Sequence, residues 1–327
     1  MIKSVQANNV NQSSVDLQST EGLAALENNG PSSKSPLGKS LWSDGWRRLK
    51  KNKAAIASMY FILFVCLMAI LAPWIAPYSF DGQNIDRALM PPDHINWFGT
   101  DSLGRDMLSR VMYGARMSMA VGIFTAMFSL VVGGVYGAIS GWLGGWVDAA
   151  LMRVIDILYS IPSLVLLIIV GVVFNSIDLF ENPELKALTG IFLALSVVGW
   201  VSLARLVRGQ VLQVREMLYV EGARALGASG WRIVGKHILP NILGPIIVML
   251  TFQIPSNILF ESFLSFIGLG LQPPFSSWGV LANDGWRAKS YPHLIIFPGL
   301  ALFLTMLAFN LLGDGLRDAF DPKMKNR

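Results

Sequence analysis

Charge-free apolar runs recur along the chain, each long enough to be measured against a bilayer. About 20 helical residues rising about 1.5 Å each cross the roughly 30 Å hydrocarbon core. Five windows meet that length easily: Ala54 to Phe80, Met117 to Val147, Ile157 to Ile177, His237 to Phe260, and Ser290 to Gly313. A sixth, Ala187 to Ala204, is marginal. The pattern predicts one span per window, and so an all-α polytopic transmembrane bundle of about six helices. In the Met117 window, Gly133, Gly134, Gly137, Gly141, Gly144 and Gly145 break up the second half, and the helix is expected to end near Ile139. Gly133, Gly134 and Gly137 read as sites of close helix packing. The stretch from Ser262 to Asn283 is also charge-free, but Gly268, Gly270, Pro273 and Pro274 interrupt it. Both a loop and a re-entrant segment lodged against protein fit that interruption.

The remaining segments are polar. Residues 1–40 are rich in Ser, Asn, Gln and Gly, cannot bury enough apolar surface to offset ordering entropy, and are expected to be a disordered tail. They lack the early apolar core of a signal peptide, so the first span is expected to serve as an uncleaved targeting signal. The organisation expected is a tail at 1–40, a basic segment and first span at 41–80, an extracytoplasmic segment at 81–116, a membrane core at 117–313 containing an inside loop at 205–240, and a tail at 314–327.

Composition agrees with lipid as the solvent. Of 327 residues 53% are hydrophobic and 14% charged, against roughly 25% charged in a soluble domain. The net charge of +5 sits beside apolar runs and forms no separate basic domain, so it is topological and no nucleic-acid partner is expected. Arg47, Arg48, Lys50, Lys51 and Lys53 precede the first span and hold that end in the cytoplasm. Alternating six spans places Arg153, Arg205, Arg208, Arg215, Arg224, Arg232, Lys236, Arg317, Lys323, Lys325 and Arg327 inside as well, sixteen in all. Seven fall outside: Arg87, Arg105, Arg110, Arg116, Lys186, Arg287 and Lys289. Both termini are therefore expected to be cytoplasmic. The single cysteine, Cys66, lies in the first apolar run and reads as inert packing; His94, His237 and His293 show no metal-ligand spacing.

The inside loop from Arg205 to Pro240 has 36 residues, too many for a simple connector. Met217 to Leu226 reads as a helix stopped by Gly227, and Ser229 can cap a second helix, Trp231 to Leu239, which must end or kink at Pro240. Glu221-Gly222-Ala223, Gly227 and Leu239-Pro240 resemble, spacing included, the E-A-A-x3-G-x9-I-x-L-P loop of ATP-binding-cassette importer permeases. Gly222 and His237 depart from that pattern. Three further segments resemble the second-permease type of the oligopeptide and dipeptide importers: Phe98 to Asp106 with Ser109-Arg110 and Tyr113 to Arg116, Glu261 to Gly270, and Asn310 to Pro322. The resemblance covers nearly everything from Leu41 onward.

The resemblance implies a permease fold and a complex. A second homologous permease subunit would complete the path, two ATPase subunits would bind ATP and magnesium, and an extracytoplasmic binding protein would deliver peptide. The loop helix carrying Glu221, Gly222, Ala223, Ala225 and Gly227, with Leu239 and Pro240 behind it, would dock on the ATPase, where small residues permit close backbone approach. This chain would hold no cofactor or metal and perform no covalent chemistry. Nickel, a glycoside or a cationic peptide are alternative substrates within the family. Gly230-Trp-Arg-Ile-Val-Gly-Lys236 has phosphate-loop spacing, but His237 replaces the needed Ser or Thr and the segment reads as helix.

Polar residues inside spans carry the remaining expectations, because an ionised group at mid-membrane costs about 2.5–3.5 kcal/mol. Asp156 and Glu261 lie near span ends, within reach of the interface, and read as structural pairing residues. Gln253, Ser256 and Asn257 surround Pro255 in the fifth span, and two readings stand for them: pore lining, or hydrogen bonds to a neighbouring helix. A secondary transporter would require more ionisable groups or broken helices in the spans. An intramembrane enzyme would require paired Asp, Ser with His, or a metal triad at membrane depth, and none is evident.

Overall fold

The computed structural model describes residues 41–177, 182–271 and 275–320. The expected disorder of residues 1–40, the charged residues Lys323, Lys325 and Arg327, and Pro273 and Pro274 fall outside it. By contacts the chain divides into Met1–Asp44 and Gly45–Arg327. Of the first unit only residues 41–44, the start of helix α1 (Leu41–Leu49), are described; the other helices all belong to the second unit.

Asn52 opens α2 (Lys53–Ile75), its side chain accepting the Ala55 N–H at 3.1 Å. One stripe of this helix, Ala55, Ser58, Val65, Ala69 and Ala72, is buried. Leu63, Phe64, Leu67 and Ile70 face outward and are exposed, as a lipid-facing surface requires. The next segment is a polar turn folded around Asp101. Its Oδ1 accepts the Leu103 and Arg105 backbone N–H groups, and its Oδ2 accepts Arg105 Nε at 2.7 Å and Arg110 Nη1 at 2.5 Å. Asp106 then caps α3 (Met107–Leu143) through the Ser109 N–H at 2.8 Å. Arg110, expected from sequence to be an outside charge, is fully buried on α3 and also reaches Asp284 at 3.2 Å.

Helix α3 has 37 residues, or about 55 Å, and does not end near Ile139. Its glycines form a packing face. A Cβ on Gly133 would lie 2.6 Å from the Trp200 carbonyl oxygen, and one on Gly137 would lie 2.4 Å from that of Ala204. Gly141 makes the same kind of approach near Arg208 and Val211. Glycine at every fourth position lets α6 (Pro183–Arg215) lie against α3 backbone to backbone, the most extensive helix contact in the unit. Gly134 faces open space and takes no part. Successive positive φ values at Gly144 (65°) and Gly145 (55°) turn the chain into α4 (Gly145–Ser160).

The Ile157 to Ile177 window is not one straight span. Helices α4 and α5 (Ser163–Asn175) meet at 87°. Ile161 precedes Pro162 and is driven out of the helical region (φ −93°, ψ 128°), so the break has a local cause. The marginal Ala187 to Ala204 window is the middle of the 33-residue α6. The helix runs on past the charges that bound the window, because Arg205 and Arg208 are neutralised by Asp156 and Asp148 of α4.

Helix α7 (Leu218–Ala225) and a short helix α8 (Gly230–Ile233) come next. The second helix does not stop at Pro240. It widens into a π turn over Val234–Ile238 and runs into α9 (Leu239–Phe266). The wider turn accommodates a proline that lacks an N–H and crowds the preceding turn. Helix α9 contains Pro245 and Pro255 and extends past Phe260, absorbing the start of the 262–283 stretch. The rest of that stretch includes the short, largely buried α10 (Trp278–Arg287), which packs against α3, α9 and α11 (His293–Phe320). At 10 residues it is too short to cross a bilayer.

Among the described residues, five helices are long and apolar enough to span a membrane, and the bent α4–α5 pair makes six if counted as one span. The named elements among the described residues are all helices, with no named strand.

Candidate functional site

At one end of the bundle α7 and α8 form a hairpin. Val220 is fully buried in one cluster with Val214, Ile233, Val234 and Ile238, which fixes α7 to the end of α6, to α8 and to the π turn before α9. Gly227 closes α7 with φ +80°, its N–H bonding to Arg224 O while Ala228 N–H reaches back to Ala223 O. That reciprocal pair satisfies carbonyls the helix end would leave open, and only glycine takes this φ without strain. Ser229 holds the N-cap position of α8 without a side-chain cap bond.

The outward side of the hairpin is apolar and bare. Leu218 is 84% exposed, Leu226 90% and Trp231 66%. Glu221, Gly222, Ala225 and Gly227 are exposed with them, Ala223 is half-buried, and a Cβ on Gly222 or Gly227 would meet nothing within 4 Å. Leu239 is half-buried and Pro240 exposed at the root of α9. Asn241 Nδ2 donates to the Tyr219 hydroxyl at 3.0 Å and ties that root to α7. Gly230 to Lys236 is helical throughout and forms no glycine-lined turn after a strand.

Trp142, at the end of α3, joins the hairpin to the bundle. The Arg224 guanidinium lies over its ring at 5.4 Å, and Gly230 packs on its edge, where a Cβ would sit 2.9 Å from the indole nitrogen. Arg215 Nη1 donates to the Gly141 carbonyl at 2.9 Å. Beside Gly141, Ser140 and Arg208 both bind Asp148.

A cleft of about 460 Å³ opens between the α4–α5 elbow, α6 and α9. Gln253, Ser256 and Asn257 all line it. They also hydrogen-bond to helix backbone: Gln253 Nε2 donates to Gly199 O of α6 at 2.8 Å, Asn257 Nδ2 to Gly122 O of α3 at 3.3 Å, and Ser256 Oγ to Phe252 O of its own helix at 2.9 Å. Gln253 and Asn257 thus tie α9 to its neighbours while bordering the cleft, whereas Ser256 bonds within its own helix. Tyr159, Pro162 and Ser202 complete the polar and angular part of the wall.

Glu261 does not reach an interface. It is fully buried and enclosed by hydroxyls, Ser118 and Ser265 at 2.9 and 2.8 Å and Ser262 at 3.3 Å. Ser118 also accepts the Trp278 N–H, so the carboxyl joins α3, α9 and the start of α10. Asp156, by contrast, is exposed and paired with Arg205. Nothing local in the sequence signals the burial of Arg110 or Glu261. Each depends on a segment far along the chain.

These features define a multi-pass helical membrane protein with an exposed hairpin at one end and a cleft between its helices. Residues 131–326 match the family described as binding-protein-dependent transport system inner membrane component, and residues 40–92 match the N-terminal TM domain of oligopeptide transport permease C. The chain belongs to this family of inner-membrane transport components, and is a transport subunit rather than an enzyme. It is 45% identical over 284 residues to the dipeptide transport system permease protein DppC of Bacillus subtilis (strain 168), covering 86% of each. It is 42% identical over 287 residues to the oligopeptide transport system permease protein OppC of the same organism, covering 88% of this chain and 91% of that one. The glutathione transport system permease protein GsiD of Escherichia coli O157:H7 is 41% identical over 290 residues, covering 87% and 91%. A chain of the MetNI methionine ABC transporter, in an inward-facing conformation, shares the fold with TM-score 0.53 and 17% identity over 66% of this chain and 98% of that one.

Proposed function

We propose that this chain is the permease subunit of an importer carrying dipeptides or oligopeptides across the inner membrane, driven by ATP hydrolysis in separate subunits. The observation that carries the coupling is the hairpin: an apolar surface of Leu218, Leu226 and Trp231 around the side-chain-free Gly222 and Gly227, on a helix anchored by Val220. An isolated membrane protein gains nothing from exposing such a surface to water, whereas a docked partner would bury it. The substrate class rests on the relatives named for dipeptide and oligopeptide transport. A second reading, transport of glutathione, draws on relatives at 41% identity named for it.

The complex proposed has a second homologous permease subunit, two ATPase subunits that bind ATP and magnesium, and an extracytoplasmic peptide-binding protein. Both termini and the hairpin lie on the cytoplasmic side. Closure of the ATPase pair moves the Glu221 to Gly227 helix, and the spans rock about the cleft that Gln253, Ser256 and Asn257 line. The test is replacement of Glu221 or Gly227 by bulky residues in the assembled complex. Peptide-stimulated ATP hydrolysis and import are expected to fall together, and unchanged, fully coupled hydrolysis overturns the docking role.

A further inference from the structure

The cleft has neutral walls and one ion pair at its edge. No carboxylate, ammonium or guanidinium is among the described residues that line it. Tyr159 and Ser202 are wall residues from different helices, their hydroxyls 2.7 Å apart. The Arg205 guanidinium lies over the Tyr159 ring at 4.1 Å and donates to Asp156 Oδ1 at 2.7 Å. Both charged side chains are exposed, at 43% and 55%, and a pair so open to solvent contributes little to folding. The ring nevertheless packs against the guanidinium, which places a two-pronged donor beside the cleft with a carboxylate on one of its prongs.

The volume of about 460 Å³ falls in the range of small-ligand sites. The walls match a chain of neutral amides: Phe252 and Leu166 offer apolar surface, and Gln253 and Asn257 offer amides. A peptide differs from other neutral ligands in ending with a carboxylate, and that is the group the guanidinium geometry fits.

We propose that Arg205, stacked on Tyr159, binds the C-terminal α-carboxylate of a short peptide lying in the cleft, and that Asp156 occupies this position in the empty state. Exchange of one carboxylate for another keeps the guanidinium paired throughout, so the peptide can enter and leave without stranding a charge. The residue reads a feature common to all free peptides and is indifferent to their side chains. This inference rests on the peptide-import reading above.

The experiment uses the complete transporter in proteoliposomes, with its binding protein and ATP, and compares import of trialanine with import of its C-terminal amide. Loading of the binding protein by each peptide is measured separately and held equal. Unsubstituted complex is expected to import the free acid about tenfold faster than the amide, the scale of one charge-assisted hydrogen-bond pair. Arg205→Gln is expected to remove that preference by slowing the free acid alone, and Arg205→Lys to retain part of it. Asp156→Asn breaks the same ion pair yet is expected to keep the preference. Equal slowing of both peptides by Arg205→Gln and Asp156→Asn shows a purely structural pair and overturns the inference while leaving peptide import standing. An unsubstituted complex that imports both peptides at one rate also overturns it. Failure to import either peptide overturns the peptide reading itself, and the inference with it.

Discussion

Arg208 of α6 grips Asp148 of α4 with two parallel contacts, Nε to Oδ1 at 2.5 Å and Nη2 to Oδ2 at 2.6 Å. Ser140 of α3 donates to the same carboxylate, so three helices meet at one group next to the hairpin's attachment. The two-pronged geometry fixes the angle between α4 and α6, and α4 leads directly to the elbow of the cleft.

That junction is testable by a double-mutant cycle. Asp148→Ala and Arg208→Ala are each expected to destabilise the solubilised complex by about 1–3 kcal/mol, with a double variant well short of the sum. Thermal unfolding of the four forms measures it. Additive losses would show that the two side chains do not act on each other.

The α3–α6 contact distinguishes neighbouring glycines. Gly137→Ala puts a methyl 2.4 Å from the Ala204 carbonyl oxygen and must push the helices apart, at a cost of about 1–3 kcal/mol. Gly134→Ala enters open space and is expected to be neutral or to stabilise by up to about 1 kcal/mol through helix propensity. Comparison of melting temperatures decides, and a similar loss in both would contradict the packing face.

On the hairpin, folding and coupling should separate. Leu226→Asp alters a side chain that is 90% exposed and is expected to leave stability within about 0.5 kcal/mol. The same change places a charge in the proposed ATPase contact, and ATP hydrolysis coupled to import is expected to fall several-fold. Full transport by a well-folded Leu226→Asp complex would exclude this face from the contact.

Glu261 is expected to be a folding residue. Glu261→Ala removes the acceptor of the Ser118 and Ser265 hydroxyls in a fully buried site and is expected to cost at least about 2–4 kcal/mol. Glu261→Gln keeps an acceptor and the volume and should lose less. The yield of folded protein and its melting temperature read the difference; equal behaviour of the two variants would show that the hydroxyl cage is not what matters.

The spans and the hairpin were legible in sequence because their signals are local. A charge-free window is set by composition, and the α7 stop at Gly227 is set by one residue's permitted backbone angles. The failures share a cause as well. Gly133 and Gly137 read correctly as packing sites, yet together with Gly141 they also seemed to end α3 early, because the backbone of α6 that they pack on lies some seventy residues further on. Arg205 and Arg208 seemed to shorten α6 because Asp156 and Asp148, which balance them, lie in a separate helix. For the cleft, the polar residues of α9 could be named in advance. Tyr159, Pro162 and Ser202 could not, since nothing in their own segments points to a shared cavity.

The elbow at Pro162 also bears on how this chain meets lipid. Helix α5 has 13 residues and reaches about 20 Å, short of the roughly 30 Å of hydrocarbon. Its companion α4 turns away at 87°. A break of this kind exposes main-chain amides that acyl chains cannot solvate, so this flank has to be shielded by protein or wetted by water. On this side the chain is an incomplete wall against lipid.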